Sequence, residues 1–204
     1  MPESLTKIKD SKNKVFGIPR GFFYWQHESL WAEFFKELGL ELVSSGKTNN
    51  ATIKQGVLYS EDESCFSYKV LFGAIVDLIQ NGKVDVLFLP RYLSLEKDYV
   101  SCPKFAGIDS VVRCLPLEMP AIFSPTIDAN RENIPDTLKR IGAALGFSAS
   151  KSREAGLKAW QAFIDEEESG RRQFLELMSN GNKKVVIFGH RYILDDDFIN
   201  FRLE

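Results

Sequence analysis

Val84-Asp85-Val86-Leu87-Phe88-Leu89-Pro90 decides the fold of this chain. The run is short, almost continuous in apolar residues and closed by proline. A strand with one wet face alternates apolar and polar positions, whereas a strand covered on both faces does not need to. We therefore read residues 84–89 as a buried strand of a parallel sheet. Parallel strands need long crossovers, usually helical, so helices should flank this run in sequence. Upstream, a helix is predicted from Cys65 to about Gln80, with Leu71, Ala74, Ile75 and Leu78 on one face and Asn81-Gly82 ending it. Further upstream, Lys14-Val15-Phe16-Gly17-Ile18-Pro19 reads as the first strand. Leu30, Phe34 and Leu38 then recur at helical spacing with Trp31 and Phe35 beside them, Gly39 stops that helix, and Leu40-Glu41-Leu42-Val43 is the second strand. A further helix covers residues 50–58.

Downstream of the deciding run, a helix or irregular segment follows Cys102, and Met119-Pro120-Ala121-Ile122-Phe123 is a weaker strand. Residues 135–146 are predicted helical, ending at Gly146. A longer helix spans 150–179 with Trp160, Phe163, Ile164, Phe174 and Met178 as its apolar points. Lys183-Lys184-Val185-Val186-Ile187-Phe188 is predicted as the final strand, broken by Gly189. This alternation predicts an α/β fold: a Rossmann-like parallel sheet with helices on both faces. Residues 1–13 are expected to form a flexible N-terminus, and residues 14–204 the α/β domain.

Composition narrows the function classes. Apolar residues make up 44% of 204 positions, enough for a substantial core. Lys and Arg number 26 against 28 Asp and Glu, so no basic excess points to nucleic acid and no polybasic run to an anionic membrane. Met1-Pro2-Glu3-Ser4-Leu5-Thr6 has no apolar signal-peptide region, and no apolar run approaches the roughly 20 residues that span a bilayer. The expectation is a cytoplasmic protein. Three cysteines, odd in number and far apart, do not make a disulfide framework.

Sites in such sheets form at the carboxyl ends of the strands. Four segments fall there: Arg20-Gly21, Ser44 to Thr48, Arg91 onward through Cys102, and Gly189-His190-Arg191-Tyr192. Cys65 and Cys102 each follow an element boundary. A thiolate at a helix N-terminus is stabilised by free amides and the helix dipole, and two thiolates meeting above one sheet suit a soft metal or an iron–sulfur cluster. The bland reading of either is a small buried hydrophobe. Their separation matches no zinc-finger or ferredoxin spacing. Cys114, inside Val111-Val112-Arg113-Cys114-Leu115, is expected in the core.

The remaining polar clusters say less. Arg20 is apt for an anion at the sheet edge, although no glycine-rich phosphate loop occurs. Ser45-Gly46-Lys47-Thr48 echoes the end of a Walker sequence but lacks the upstream glycine. His190 suits a base or donor near neutral pH, but as a bare motif it reads as a surface turn. His27 caps or packs at the start of the first long helix. Asp195, Asp196 and Asp197 read as helix-start charges rather than as a metal site.

Five turns in order resemble one family: Lys14 to Arg20, Asp62-Glu63-Ser64-Cys65-Phe66-Ser67-Tyr68-Lys69, Phe88-Leu89-Pro90-Arg91-Tyr92, Ser101-Cys102-Pro103-Lys104 and Gly189-His190-Arg191-Tyr192. The set resembles the domain associated with CoA-enzyme activases, related to 2-hydroxyacyl-CoA dehydratase components and double-cubane cluster proteins. The likeness runs from about residue 14 to 200. It implies Rossmann-like domains that hold an iron–sulfur cluster, a [4Fe–4S], through cysteines. It also implies low-potential electron transfer with an ATP-dependent activase. Under it, Cys65 and Cys102 are metal ligands, and Lys69, Arg20, Arg191 and Tyr192 are cofactor-binding positions. Tyr192 matches better than His190, because relatives carry a Gly-Arg-Pro-Tyr-like turn there. Relatives take a third cluster cysteine from a further domain, so a cluster on Cys65 and Cys102 needs another ligand, from a cluster-bearing partner subunit or a homodimer interface.

Two other readings stay open at the level of sequence. One is a non-catalytic binding or assembly module that has the fold without the cluster. The other is a small-molecule enzyme in which Arg20 and Arg191 hold a phosphate or carboxylate.

Overall fold

The computed structural model describes residues 7, 8, 10–179 and 181–201. Four short strands make the central sheet: β1 (Val15–Ile18), β2 (Glu41–Ser44), β3 (Val86–Phe88) and β5 (Ala121–Phe123). Their order is β2-β1-β3-β5 and every pairing is parallel, with Phe16 beside Leu42 and Val86, and Leu87 beside Ile122. The fold is α/β and Rossmann-like.

The period of two along the strands sorts the core into two layers. Phe16, Ile18, Val86, Phe88 and Phe123 face one layer, where α1 (Tyr24–Leu38), α6 (Ile134–Ala144) and the first half of α7 (Ala149–Ser179) bring Trp31, Phe34, Phe35, Leu138, Ile141, Ala159 and Phe163. Leu87, Leu89 and Ile122 face the other, against Leu71, Phe72, Ile75 and Leu78 of α3 (Phe66–Asn81) and Ile108 and Val112 of α5 (Ile108–Val112). Gly17 faces this second layer, where a Cβ would lie 2.8 Å from Val84 Cγ1. α2 (Asn50–Tyr59) lies against α3 through Gly56 and Gly73, and a Cβ on either would overlap a backbone carbonyl of the opposite helix. Asn49 caps α2, accepting from the amides of Ala51 and Thr52.

Of the stretch 1–13, Ile8 donates its amide to the Ala144 carbonyl and buried Ser11 donates its hydroxyl to the Leu145 carbonyl at 2.6 Å; residues 1–6 and 9 lie outside the described residues.

Two features depart from expectation. First, the chain after β3 does not loop freely. β4 (Arg91–Ser94) and β6 (Thr126–Asp128) form a separate two-stranded parallel sheet. Prolines explain the break: Pro90 and Pro125 cannot donate to a ladder, so β3 and β5 end just before them and pairing resumes at Arg91 and Thr126. Second, residues 183–188 are not a strand of the sheet. They belong to no strand, and Val185 and Phe188 are 92% and 90% exposed. Local β-preference cannot form a strand unless a neighbour presents its hydrogen-bonding edge. Consequently Gly189-His190-Arg191-Tyr192 does not follow a sheet strand; the short α8 (Arg191–Leu194) carries Tyr192 instead.

Candidate functional site

β1 has β2 on one side and β3 on the other, so the connections leave in opposite directions and open a crevice at the carboxyl ends of β1 and β3. Gly21 lies against α3 there, where a Cβ would sit 3.1 Å from the Leu71 Cα. Phe22 follows with φ of 49°, a left-handed conformation that is strained for a bulky residue. That backbone aims the Phe22 ring into an aromatic cluster. Its centroid lies 4.3 Å from Phe105, 5.4 Å from Tyr192 and 6.1 Å from Tyr68.

Both cysteines border this cluster. Cys65 is the N-cap of α3, and Cys102 is the N-cap of α4 (Pro103–Ala106), whose first position is proline. Both are exposed. Burial lifts the Tyr68 phenol to about 12, with the Glu61 charge adding to it. The Tyr192 phenol is also pushed up, by burial first. The residues three places on from each cysteine, Tyr68 and Phe105, both meet the Phe22 ring, which draws the two helix starts together. Lys104 stands over the Tyr68 ring at 4.6 Å and donates to Ser64 Oγ at 2.8 Å, holding an ammonium beside the cysteines. Lys69 does something different: its Nζ donates to the Asp62 carbonyl at 2.9 Å and braces the turn that leads into Cys65.

Beneath the cluster lies a cavity of about 40 Å³, lined among others by Gly21, Phe22, Trp31, Leu71, Tyr92 and Phe105. Tyr92 closes its floor. The Tyr92 hydroxyl accepts from Trp31 Nε1 at 3.1 Å and lies 3.2 Å from His27 Nδ1. With the tryptophan donating, the phenolic proton goes to His27, which is then neutral with Nδ1 as acceptor. Burial, with a smaller contribution from the Arg191 charge, brings the His27 pKa down to about 4. His27 thus packs, as one of its sequence readings held, at a non-helical residue inside α1 (φ −120°, ψ 20°).

The other candidates are dispersed. Arg20 stacks over Trp25 at 4.7 Å and Tyr24 at 5.5 Å and lines a crevice with Lys47, Thr48 and Asp197. Arg191 pairs with Asp195 at 2.7 Å and Glu167 at 3.2 Å in a neighbouring crevice. The two crevices share Trp25 and Asp195 in their linings. Cys114 is exposed, not in the core: it lies just past the end of α5 and its Sγ reaches only the Ser110 carbonyl, 3.4 Å away. Val112, the last residue of α5, is buried and Leu115 packs partly against the second layer, while Cys114 between them stays exposed. His190 stacks on Tyr192 at 4.9 Å. Asp195 is the C-cap of α8, so the three aspartates follow a helix rather than start one, and buried Asp196 accepts from the Phe198 amide and Thr48 Oγ1 to hold the turn after it. Phe22, Phe105 and Tyr68 escaped sequence reasoning as site residues. The available signal was position: Phe22 follows the first strand's turn, and Tyr68 and Phe105 each lie three residues after a cysteine.

The donor chemistry is soft and one-sided. Two exposed cysteines stand at helix starts beside a lysine, and among the described residues no group of three or more His, Cys, Asp or Glu is placed to hold a metal ion. Two thiolates therefore fit part of an iron–sulfur ligand set and leave the rest to groups beyond this cluster. Among the described residues no helix is long and apolar enough to cross a membrane. A family model, the CoA enzyme activase uncharacterised domain, matches residues 15–204. Comparison with curated proteins and with solved structures finds no match.

Proposed function

The chain belongs to the CoA enzyme activase uncharacterised domain family, and from that premise we propose that it is an iron–sulfur protein that exchanges low-potential electrons with an ATP-dependent activase. Cys65 and Cys102 would hold a [4Fe–4S] cluster as two of its ligands. The observation that carries this reading is their convergence: two exposed cysteines open helices that meet through the Lys104–Ser64 hydrogen bond at 2.8 Å and around the Phe22 ring, at the crevice where α/β sheets place their ligands. The activase partnership rests on the family alone.

The bound cluster would supply one-electron chemistry. The chain's own residues do the rest. The α3 dipole favours negative charge at Cys65. Lys104, fixed between Ser64 and Tyr68, offsets charge on the anionic side and so raises the potential relative to a neutral residue there. Phe22, Phe105 and Tyr192 exclude water from the inner side, and Tyr68, lifted to about 12, keeps its proton at neutral pH.

The test is iron and acid-labile sulfide on protein purified and reconstituted without oxygen, with an absorption spectrum. Comparable iron and sulfide with a broad visible band are expected, and Cys65→Ser or Cys102→Ser should each abolish loading. A serine variant that loads like the parent sinks the ligand assignment. A cluster-free binding module on the same fold is favoured by the absence of a third ligand group among the described residues. Protein that stays free of iron after reconstitution selects that reading.

A further inference from the structure

The crevice that Arg20 lines has a volume of about 410 Å³, within the range of small-molecule sites, and shares no lining residue with the cavity beneath the aromatic cluster. Two turns at the carboxyl ends of neighbouring strands build it. Arg20 follows β1 and Lys47 follows β2, and the Arg20 amide donates to the Ser45 hydroxyl at 3.0 Å, tying one turn to the other. The Gly46 amide donates to Asp77 Oδ2 at 3.1 Å and pins the second turn to α3. Thr48 Oγ1 donates to Asp196 at 2.6 Å and joins that turn to the segment after α8. The walls are therefore braced by the protein's own bonds.

The charges in the crevice are unevenly matched. Arg20 stacks over Trp25 and Tyr24 but makes no side-chain hydrogen bond or ion pair among the described residues, and its Nε is buried without an acceptor. Unsatisfied donors of this kind call for an explanation, and an absent ligand supplies one. Lys47 is exposed and also has no ion pair among the described residues. On the acidic side, Asp195 is paired with Arg191 at 2.7 Å, and Asp196 accepts from Thr48 and the Phe198 amide. That leaves Asp197, exposed and without an ion pair among the described residues. Trp25, Phe198 and Phe201 supply aromatic surface beside these groups.

We propose that this crevice binds a nucleotide, with the phosphate on Arg20 and Lys47, the planar base against the aromatic side chains, and a hydroxyl or amino group donating to Asp197. A guanidinium fork matches the oxygens of a phosphate, and a stacked arginine is already oriented for it. A bare inorganic anion would leave the aromatic walls unused and meet the Asp197 charge. A neutral ring would leave both cations unanswered. The inference is independent of the cluster reading, since it draws on no cysteine.

The experiment is titration calorimetry of the 204-residue chain with AMP, GMP and UMP, beside their nucleosides and inorganic phosphate. At least one nucleotide is expected to bind at least tenfold more tightly than its nucleoside and than phosphate, with a change in tryptophan emission from Trp25. Arg20→Gln should weaken that binding at least tenfold, since a charge-assisted contact is lost. Lys47→Gln, at an exposed position, should weaken it severalfold while keeping the parent's circular dichroism. No nucleotide binding at millimolar concentration, a nucleoside or phosphate that binds as tightly as the nucleotide, or two variants that both bind like the parent would each overturn the proposal. Iron loading is read separately, so either reading can fail alone.

Discussion

Acid should weaken this protein through His27 in particular. The ring is 6% exposed, accepts from Tyr92 and is held neutral, with its pKa moved from 6.5 to about 4 by burial first and by Arg191 second. In the unfolded chain the same imidazole protonates near its ordinary value. The unfolded state therefore binds more protons between about pH 6.5 and 4, and stability falls as pH falls through that window. Each unit of separation is worth about 1.4 kcal/mol, so the full loss is about 3 kcal/mol at the low end, while stability above pH 7 is indifferent to this group. Carboxylates titrate in the same window, so the measurement is a difference. His27→Gln keeps an acceptor for Tyr92 and removes the titration. Urea unfolding followed by tryptophan emission, at about pH 7 and about pH 4.5, should show the parent losing about 2 to 3 kcal/mol more than the variant. If the difference between the two proteins is the same at both pH values, His27 is not held neutral and the hydrogen-bond assignment around Tyr92 is wrong.

Other expectations follow from single positions. Tyr92→Phe leaves Trp31 Nε1 and His27 Nδ1 buried without their partner, and should cost about 1 to 3 kcal/mol in chemical denaturation while the fold is kept. Gly73→Ala would push a methyl into the Thr52 carbonyl where α2 meets α3, for a loss of about 1 to 3 kcal/mol or more. Gly170→Ala, within α7 and with open space around it, should instead raise stability by about 0.5 to 1 kcal/mol, and thermal melts of the pair give opposite signs. Phe22→Ala should relax the packing of Tyr192 and Phe105, read as faster iodoacetamide labelling of Cys65 and Cys102 with little change at Cys114.

Wherever local pattern and final contacts agree, the sequence by itself determined the result. The apolar run before Pro90 encodes a strand wet on neither side, and Leu87 and Phe88 do serve the two opposite layers. Gly39 and Gly146 end or follow helices at positive φ, as only their missing Cβ allows without strain. Cys65 was legible at a helix start because it interrupts polar sequence just before an apolar stripe. Tertiary structure alone decided what depends on partners distant in sequence. Residues 183–188 carry every local mark of a strand yet have no ladder, because a strand exists only beside another strand. Cys114 sits among apolar neighbours but points outward, since helical phase at the end of a five-residue helix cannot be read from so short a run. That the helix starts at Cys65 and Cys102 meet through Ser64 and Lys104 and around one phenylalanine ring was settled by strand order β2-β1-β3-β5 and by the left-handed turn at Phe22. Spacing along the chain carries no record of which loops a parallel sheet gathers at one end.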